Sequence, residues 1–317
     1  MINYDSPKEI VAFLKERGMG MRKKYGQNFL INPAVRSKLL DTLELKEGQE
    51  VWEIGAGLGA MTSDLLERGA RVTAFEIDPG FSRALEDFFG HNSGPAAAFR
   101  LVKGDVLKTW GANYDSEWKD AGQANPAGKP FLFGNLPYNI AAALLAGFIE
   151  KGCFFKRMVV TVQREIAQRM AAGPGSPDYS SFSVLCSSMY RVSPLMVIKA
   201  ASFYPAPRVD SQGVRLDLLA NTEKKSPLFY PLVRSLFSSR RKTIHNTLTA
   251  FASSVIMNSI SQKESVVPAP KEAFVKEVVS DTLKKAGVSG DRRAETLAID
   301  EFAALAVFLK EIVSYGT

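Results

Sequence analysis

A short apolar strand pattern, a glycine-rich turn and a helical pattern follow one another early in the chain. The strand pattern covers residues 50–54, the glycines lie within residues 55–59, and apolar residues then recur at helical spacing. Glycines let a backbone approach a ligand closely, and a helix amino terminus offers unpaired N–H groups. This order predicts an α/β fold that binds a nucleotide-type ligand at the carboxyl edge of a parallel sheet.

Two further predicted strands each end close to a carboxylate. Residues 71–75 lead into Glu76, which follows the glycines at the distance where an acid accepts both hydroxyls of a ribose. Residues 101–106 form the next strand pattern, and Asp105 at its end suits an adenine amino group. The glycine turn also satisfies the loose fingerprint of NAD-binding domains, so the turn alone leaves two cofactors open.

The tetrapeptide Asn135-Leu136-Pro137-Tyr138 follows an apolar run, residues 131–134, that is typical of a buried strand. The Asn oxygen and a turn carbonyl can accept both hydrogens of an exocyclic amine, while the Tyr ring stacks on the base. Asn-x-Pro is also an ordinary turn sequence, so a plain turn stays open at this point. Combined with the two acids, the tetrapeptide favours S-adenosylmethionine over NAD.

Basic residues are clustered along the chain. Lys and Arg number 40 against 33 Asp and Glu, a formal net charge of +7. Clusters of this kind are expected where a protein binds a polyanion such as RNA, although a solvated basic face on a small helical cap is the open alternative. The cluster at residues 240–242 is predicted to lie in a late helix. The predicted RNA contacts are Arg22, Lys23, Lys24, Arg240, Arg241 and Lys242.

The remaining composition argues against several classes of protein. Two cysteines give no disulfide framework, and two distant histidines give no metal site, so we expect neither. The start of the chain lacks the pattern of a signal peptide, and no apolar run approaches the roughly 18 residues that a membrane span needs. We therefore expect a cytoplasmic protein that makes no membrane contact, with a monomer as the default oligomeric state.

With these features in order, the chain resembles the ribosomal RNA adenine dimethyltransferases of the KsgA/RsmA type, from about residue 23 to about residue 308. One such motif would be weak, whereas this many in this order are highly specific. The motifs that carry the resemblance are residues 26–30, 53–57, 76–79, 104–105, 134–140, 162–169, 203–211, 240–243 and 293–297.

The resemblance implies a Rossmann-like class I S-adenosylmethionine-dependent methyltransferase domain with a small all-helical C-terminal domain. We place the catalytic domain at residues 1–221, including a basic, cofactor-covering N-terminal segment, and a helical RNA-binding domain at residues 222–317. The predicted cofactor-binding residues are Gln27, Asn28, Leu30, Gly55, Gly57, Glu76, Ile77, Asp105, Val106 and Asn135. The predicted catalytic residues are Asn135, Leu136, Pro137, Tyr138 and Phe203, the last closing the base face opposite Tyr138 by resemblance.

The implied activity is dimethylation of the N6 amine of two adjacent adenosines in a hairpin loop near the 3′ end of 16S rRNA. The implied partner is that RNA within the small ribosomal subunit or its precursor. A 23S rRNA adenine methyltransferase of the macrolide-resistance type and a non-catalytic ribosome assembly factor are the alternatives. An NAD oxidoreductase is more distant, because no hydride-transfer acid or base stands out.

Some segments depart from the usual pattern of that family. Residues 141–143, 181–183 and 212–213 differ from it, and they affect local loop geometry and none of the predicted contacts. Residues 111–129 are rich in Gly, Ala and Asn, which predicts an extended surface loop.

Overall fold

The computed structural model describes residues 2–22, 25–90, 98–118, 128–137, 140–220, 225–261 and 272–316. The helices are α1 (Pro7–Glu16), α2 (Pro33–Asp41), α3 (Ala60–Glu67), α4 (Pro79–Phe89), α5 (Val106–Trp118), α6 (Ala141–Glu150), α7 (Arg164–Ala171), α8 (Ser181–Met189), α9 (Phe229–Phe237), α10 (Ile244–Ser261), α11 (Glu272–Ala286) and α12 (Ile299–Gly316). The strands are β1 (Phe29–Leu30), β2 (Glu50–Ile54), β3 (Arg71–Glu76), β4 (Phe99–Lys103), β5 (Phe131–Asn135), β6 (Arg157–Gln163), β7 (Tyr190–Ile198), β8 (Phe203–Tyr204) and β9 (Ser211–Leu218).

Seven strands form one twisted sheet in the order β4-β3-β2-β5-β6-β9-β7. The first five are parallel, and β9 is antiparallel to both of its neighbours. The chain runs outward from β2 to β4 and then returns to the other side of β2 with β5. This reversal creates a crevice at the carboxyl ends of β2 and β5, which is where open α/β sheets bind their ligands.

The strands are buried on both faces, as a parallel sheet covered by helices requires. On one face Trp52 is fully buried and contacts the rings of Phe75, Tyr114 and Phe155. On the other face a second buried cluster joins the sheet to the helices that follow β1 and the glycine turn; its members include Leu39, Leu40, Val51, Leu65, Phe133 and Val159. These two layers fix the strand ends from which the site is built.

The structure differs from the sequence prediction in two helical regions. Residues 111–118, predicted as surface loop, belong to α5, because Trp110 and Tyr114 lie on one buried face and the Tyr114 hydroxyl donates to the Phe154 carbonyl at 3.0 Å. Residues 240–242, predicted within a helix, lie instead in the turn between α9 and α10. In residues 111–118, burial of aromatic side chains overrides the weak helix propensity of Gly111, Asn113 and Asp115.

The chain divides into two compact units. The first comprises Met1–Gln168 and Met189–Ala220, and it contains the seven-stranded sheet. The second comprises Arg169–Ser188 and Asn221–Thr317. Its first segment, Arg169–Ser188, falls within the predicted catalytic domain, residues 1–221. Its core is helical and draws on α9 to α12, with Phe229, Leu248, Val279 and Phe302 fully buried.

Within the described residues, no helix is both long enough and apolar enough to span a membrane. Cys153 and Cys186 are both buried and unpaired, and burial raises the pKa of each thiol above its ordinary value.

Candidate functional site

Glu76 occupies the carboxyl end of β3 and is only 5% exposed. Its two carboxylate oxygens accept the backbone N–H groups of Gly57 and Asp78, both at 2.7 Å. Burial raises the pKa of Glu76 to about 7, against the opposing effect of these hydrogen bonds. A carboxylate has about four acceptor positions, so its chemistry suits the two hydroxyls of a ribose.

The glycine turn brings the backbone next to this carboxylate. Gly57 has a φ of +61°, a conformation that side chains other than glycine rarely adopt. A Cβ at this position would stand 3.1 Å from Cε1 of Phe29, whose ring packs against Phe81. Glycine is therefore required twice at position 57, once by the backbone angle and once by the aromatic ring that closes over it.

The neighbouring strand end presents a second acid. Asp105 follows β4, and its Oδ1 accepts the N–H of Leu107 at 3.0 Å, so the carboxylate caps the start of α5. The prediction that Val106 ends a strand is wrong, because Val106 begins α5 and is buried. Ile77 is 37% exposed beside Glu76 and offers an apolar surface for a base. Asp105 and Ile77 thus line the edge next to Glu76, as an adenine ring would need.

Asn135 ends β5 on the other side of β2, and both ends of its amide are held. Its Nδ2 donates to the Asn28 carbonyl at 2.8 Å, and its Oδ1 accepts the Thr161 hydroxyl at 2.5 Å. Thr161 is 1% exposed and pairs with Asn135 across β5 and β6. These two contacts fix which way the amide oxygen points, and that oxygen keeps one further acceptor position.

The turn after Asn135 is shaped by one glycine and one buried leucine. A Cβ on Gly134 would lie 2.6 Å from Cδ2 of Leu136, which is 1% exposed. The Leu136 N–H donates to the Thr161 carbonyl at 3.1 Å. The Pro137 carbonyl accepts the N–H groups of Ile140 and Ala141 at the start of α6. The carbonyl of Pro137 is therefore engaged by the helix, which leaves that of Leu136 as the turn acceptor in the prediction. Tyr138 lies outside the described residues.

A two-stranded sheet carries the predicted cofactor loop to the same edge. β1 pairs antiparallel with β8, so that Leu30 stands opposite Phe203. The Asn28 side-chain amide donates to the Gly26 carbonyl at 3.0 Å, and the Asn28 backbone carbonyl accepts the hydrogen bond from Asn135 Nδ2. Gln27 instead accepts the Arg22 N–H at 2.6 Å, which gives its side chain a role in holding the N-terminal segment.

Phe203 is placed differently from the stacking role that the resemblance implied. It is 3% exposed and belongs to the buried cluster that contains Leu30, Leu39 and Ile198. In this position its ring packs in the same cluster as Leu30, and this packing supports β1. We keep its contact with a base as a prediction only.

A cavity opens between these groups, and two of its polar side chains, Tyr4 and Glu53, were not among the predicted site residues. It is lined by Tyr4, Ile10, Asn28, Phe29, Leu30, Glu53, Gly55, Ala56, Gly57, Leu58, Ala60, Met61, Phe133 and Asn135. Glu53 accepts the Thr62 hydroxyl at 2.6 Å, and burial raises its pKa to about 8. Glu53 stands in one of the family motifs, but its glutamate was not singled out. Tyr4 belongs to no motif, and no local signal marks it.

The predicted RNA-binding residues fall into two groups. Arg240 donates to the carbonyls of Pro177 and Tyr179, both at 2.9 Å, so it holds the second unit together. Arg241 and Lys242 are exposed in the same turn. In the first unit, Nε of Arg22 lies 3.6 Å from a carboxylate oxygen of Asp78. Lys23 and Lys24 lie outside the part of the chain that the structure describes.

Among the described residues, no group of His, Cys, Asp and Glu is arranged to hold a metal ion.

Comparisons with known proteins show the family of this chain. A sequence model of the ribosomal RNA adenine dimethylase family matches residues 18–283. The ribosomal RNA small subunit methyltransferase A of Treponema denticola is 42% identical over 306 residues, covering 96% of this chain and 94% of that protein. The protein of the same name from Treponema pallidum is 39% identical over 318 residues, covering 98% of this chain and 99% of the relative.

Solved structures confirm the fold. A dimethyladenosine transferase from Plasmodium falciparum superposes with a TM-score of 0.70 at 24% identity, covering 89% of this chain and 97% of its own. The 23S rRNA methyltransferase ErmE superposes with a TM-score of 0.57 at 20% identity, covering 89% of this chain and 99% of its own. The predicted Rossmann-like class I methyltransferase fold is confirmed.

The family match also confirms S-adenosylmethionine as the cofactor and adenine dimethylation of ribosomal RNA as the activity, in preference to the alternatives that the sequence left open. The individual contacts of the site residues stay predictions. From the matched residues and the full-length relatives, the chain belongs to the ribosomal RNA adenine dimethylase family.

Proposed function

We propose that the enzyme dimethylates the N6 amine of adenosine, at two adjacent positions near the 3′ end of 16S rRNA, in the small ribosomal subunit or its precursor. The observation that carries the proposal is the Asn135 amide, held at the carboxyl edge of β5 by the Asn28 carbonyl and the Thr161 hydroxyl. The names of the relatives support the small subunit as the substrate particle. We place the reaction in the cytoplasm and expect a monomer.

The residues of the Asn135 turn act on the acceptor amine. That amine is a poor nucleophile because its lone pair is delocalised into the adenine ring. Asn135 Oδ1 and the Leu136 carbonyl each accept one N–H, which favours a pyramidal nitrogen with its lone pair directed away from the turn. Holding two reactants in line supplies about 7–11 kcal/mol of rate acceleration in favourable cases, so positioning supplies much of the acceleration.

When bound, S-adenosylmethionine supplies an electrophilic methyl group and leaves as the neutral thioether. The N6 lone pair forms the new N–C bond as the C–S bond breaks, and the positively charged amine then releases its proton to solvent. No strong base is needed before the attack. This chemistry accounts for a site built from an amide, backbone carbonyls and carboxylates.

The exposed turn between α9 and α10 supports a role in phosphate binding. Arg241 and Lys242 project from this turn, whereas Arg240 is committed to the carbonyls of Pro177 and Tyr179. We therefore assign phosphate contact to Arg241 and Lys242 and a structural role to Arg240. Contacts of this kind position an RNA without reading its sequence.

Neutralising Arg241 and Lys242 together should weaken RNA binding and flatten its salt dependence. With Arg241→Gln and Lys242→Gln, the slope of log affinity against log salt should fall in magnitude by about 1.4–1.8, because two phosphate contacts are lost. Binding to a small-subunit RNA fragment, titrated at several salt concentrations, measures this change. The control is Lys284→Gln with Lys285→Gln, an equal charge change on the exposed last turn of α11. Equal effects of the two double variants would contradict a local phosphate site.

Transfer of labelled methyl groups tests the activity and the substrate together. Small ribosomal subunits, large subunits and naked RNA, all lacking the modification, are offered separately, and the product nucleosides are resolved by mass. We expect N6,N6-dimethyladenosine on the small subunit alone. Label on large-subunit RNA would contradict the proposed substrate, and cofactor binding without transfer to any RNA would contradict the proposed activity.

A further inference from the structure

The N-terminal segment before residue 18, where the family match begins, is part of the first unit. Ser6 caps α1 by accepting the Glu9 N–H, and Pro7 occupies the first helical position, so the helix start is well defined. Ile10 and Leu14 are buried against a cluster that includes Leu58, Phe81 and Ala84. Because Leu58 belongs to the glycine turn, α1 packs directly against the element that forms the cofactor cavity.

One buried arginine fixes the residues just before α1. The Arg36 guanidinium pairs with Asp5 and with Asp64, both at 2.9 Å, and it also donates to the Leu30 carbonyl at 3.2 Å. Its side chain is 7% exposed, so these partners offset the cost of burying the charge. Arg36 therefore ties the start of the chain to α3 and to β1.

Tyr4 projects from this fixed segment into the cofactor cavity. It lines the cavity together with Glu53, Gly55 and Asn135. Its hydroxyl oxygen is buried, yet it has no hydrogen-bond partner among the residues that the structure describes. Buried polar groups nearly always have a partner, so an unpaired hydroxyl facing a binding cavity calls for a ligand group or a water. Burial, reinforced by the nearby Glu53 carboxyl, raises the pKa of the phenol and keeps it protonated.

The order of the strands indicates which part of the cofactor reaches Tyr4. Asp105 follows β4 and Glu76 ends β3, so the proposed adenine and ribose contacts lie on one side of β2. Asn135, where the methyl group must be delivered, ends β5 on the other side. The cavity that Tyr4 lines spans β2 and β5, and it contains neither Asp105 nor Glu76 among its lining residues. Because the proposed adenine and ribose contacts lie outside this cavity, we expect the cavity to hold the amino-acid end of the cofactor.

We propose that Tyr4 is a cofactor-binding residue whose hydroxyl donates a hydrogen bond to the α-carboxylate of the methionine portion of S-adenosylmethionine. The proposal rests on the proposed adenine and ribose contacts, which orient the cofactor along the sheet edge. A protonated phenol is a donor suited to a carboxylate.

Tyr4→Phe tests the contact because it removes one oxygen and keeps the ring. Binding of S-adenosylhomocysteine and of 5′-methylthioadenosine, which lacks the amino-acid portion, is measured by calorimetry on the full-length protein. We expect the dissociation constant of S-adenosylhomocysteine to rise by about tenfold, as the loss of one hydrogen bond to a charged group predicts. Binding of 5′-methylthioadenosine should stay unchanged.

Phe13→Leu is the matched packing control. Phe13 packs against Phe88 in a tilted arrangement, with 5.5 Å between ring centroids, and it does not line the cavity. Loosening α1 through Phe13 should therefore not discriminate between the two ligands. Unchanged binding of both ligands to Tyr4→Phe would overturn the proposal. Equal weakening of both would also overturn it, since that pattern indicates a structural role. Failure of the wild-type protein to bind either ligand would instead contradict the cofactor site on which the proposal depends.

Discussion

Asn135→Ala is expected to reduce methyl transfer by about 10³-fold, the upper end of the loss when one preorganised hydrogen-bonding group is removed from a reacting centre. The alanine removes the oxygen that accepts an amine hydrogen, and it also frees the Asn28 carbonyl and the Thr161 hydroxyl from their partner. Affinity for S-adenosylmethionine should change by less than about tenfold, because at most one neutral hydrogen bond is involved. Single-turnover transfer and calorimetric binding measure the two effects separately.

Two further variants separate the amine contact from general disruption of the turn. Asn135→Asp keeps an acceptor oxygen but cannot donate to the Asn28 carbonyl, so its rate should fall between those of the wild type and the alanine variant. Thr161→Val removes only the hydroxyl that orients the amide, and it should lower the rate without changing cofactor affinity. Transfer by Asn135→Ala at the wild-type rate would show that the proposed hydrogen bond from the amine to Asn135 is wrong.

The edge of the sheet could be predicted from sequence because each of its motifs is local. Residues 50–54 form β2 as predicted, and the turn that follows places Gly57 against Glu76. A strand, a glycine turn and an acid at the end of the next strand are encoded within about thirty residues, the length of one βαβ unit. The parallel order of these units then brings Glu76 and Asn135 to one edge without further information.

Contacts between distant segments could not be predicted in this way. Tyr4 reaches the cavity because Asp5 pairs with Arg36, and nothing in the first residues identifies that partner. Arg240 looks like one of three equivalent basic residues, yet its carbonyl acceptors lie some sixty positions earlier, at Pro177 and Tyr179. Charge clustering reports composition along the chain, whereas the partner of each cation depends on the tertiary structure.

A resemblance to a family supplied what local chemistry could not. The Gln27–Leu30 segment contains no pattern that physical reasoning connects with a cofactor. The structure explains its position through the pairing of β1 with β8, two short strands that are far apart in the sequence. The same pairing buries Phe203 beneath Leu30, which the resemblance did not anticipate. Two-residue strands carry too little periodicity to be found from sequence, so their pairing emerges only from the fold.

Glu76→Gln is expected to weaken cofactor binding by about a hundredfold at neutral pH, since hydrogen bonds to a charged group are worth about 1.5–3 kcal/mol each. The carboxylate accepts Gly57 N–H on one oxygen and Asp78 N–H on the other. A glutamine would have to turn its NH₂ group toward one of these two donors. The amide therefore disturbs the glycine turn and also loses an acceptor for the ribose. Calorimetric titration with 5′-methylthioadenosine measures the effect, since this ligand carries the ribose but no amino-acid end.

The same carboxyl group should make binding depend on pH. Burial raises the pKa of Glu76 from its ordinary value of 4.5 to about 7, and only the ionised form accepts both ribose hydroxyls. Affinity of the wild-type protein for 5′-methylthioadenosine should therefore fall as the pH drops below 7, by about tenfold per unit once the acid form dominates. The stability of the free protein changes in the opposite direction. The raised pKa favours the folded state below 4.5, and this contribution is lost as the pH rises through 7.

The buried neighbour Glu53 provides the control for this pH dependence. Its pKa is also raised by burial, to about 8, but it lines the part of the cavity next to Tyr4 rather than the ribose contact. Glu53→Gln should keep the pH dependence of 5′-methylthioadenosine binding, with at most a shift of its midpoint because the two carboxyls interact electrostatically, whereas Glu76→Gln should flatten it. If Glu53→Gln flattened the profile and Glu76→Gln did not, the ribose contact would have to be reassigned, because the group that titrates would then lie on β2 and not at the end of β3.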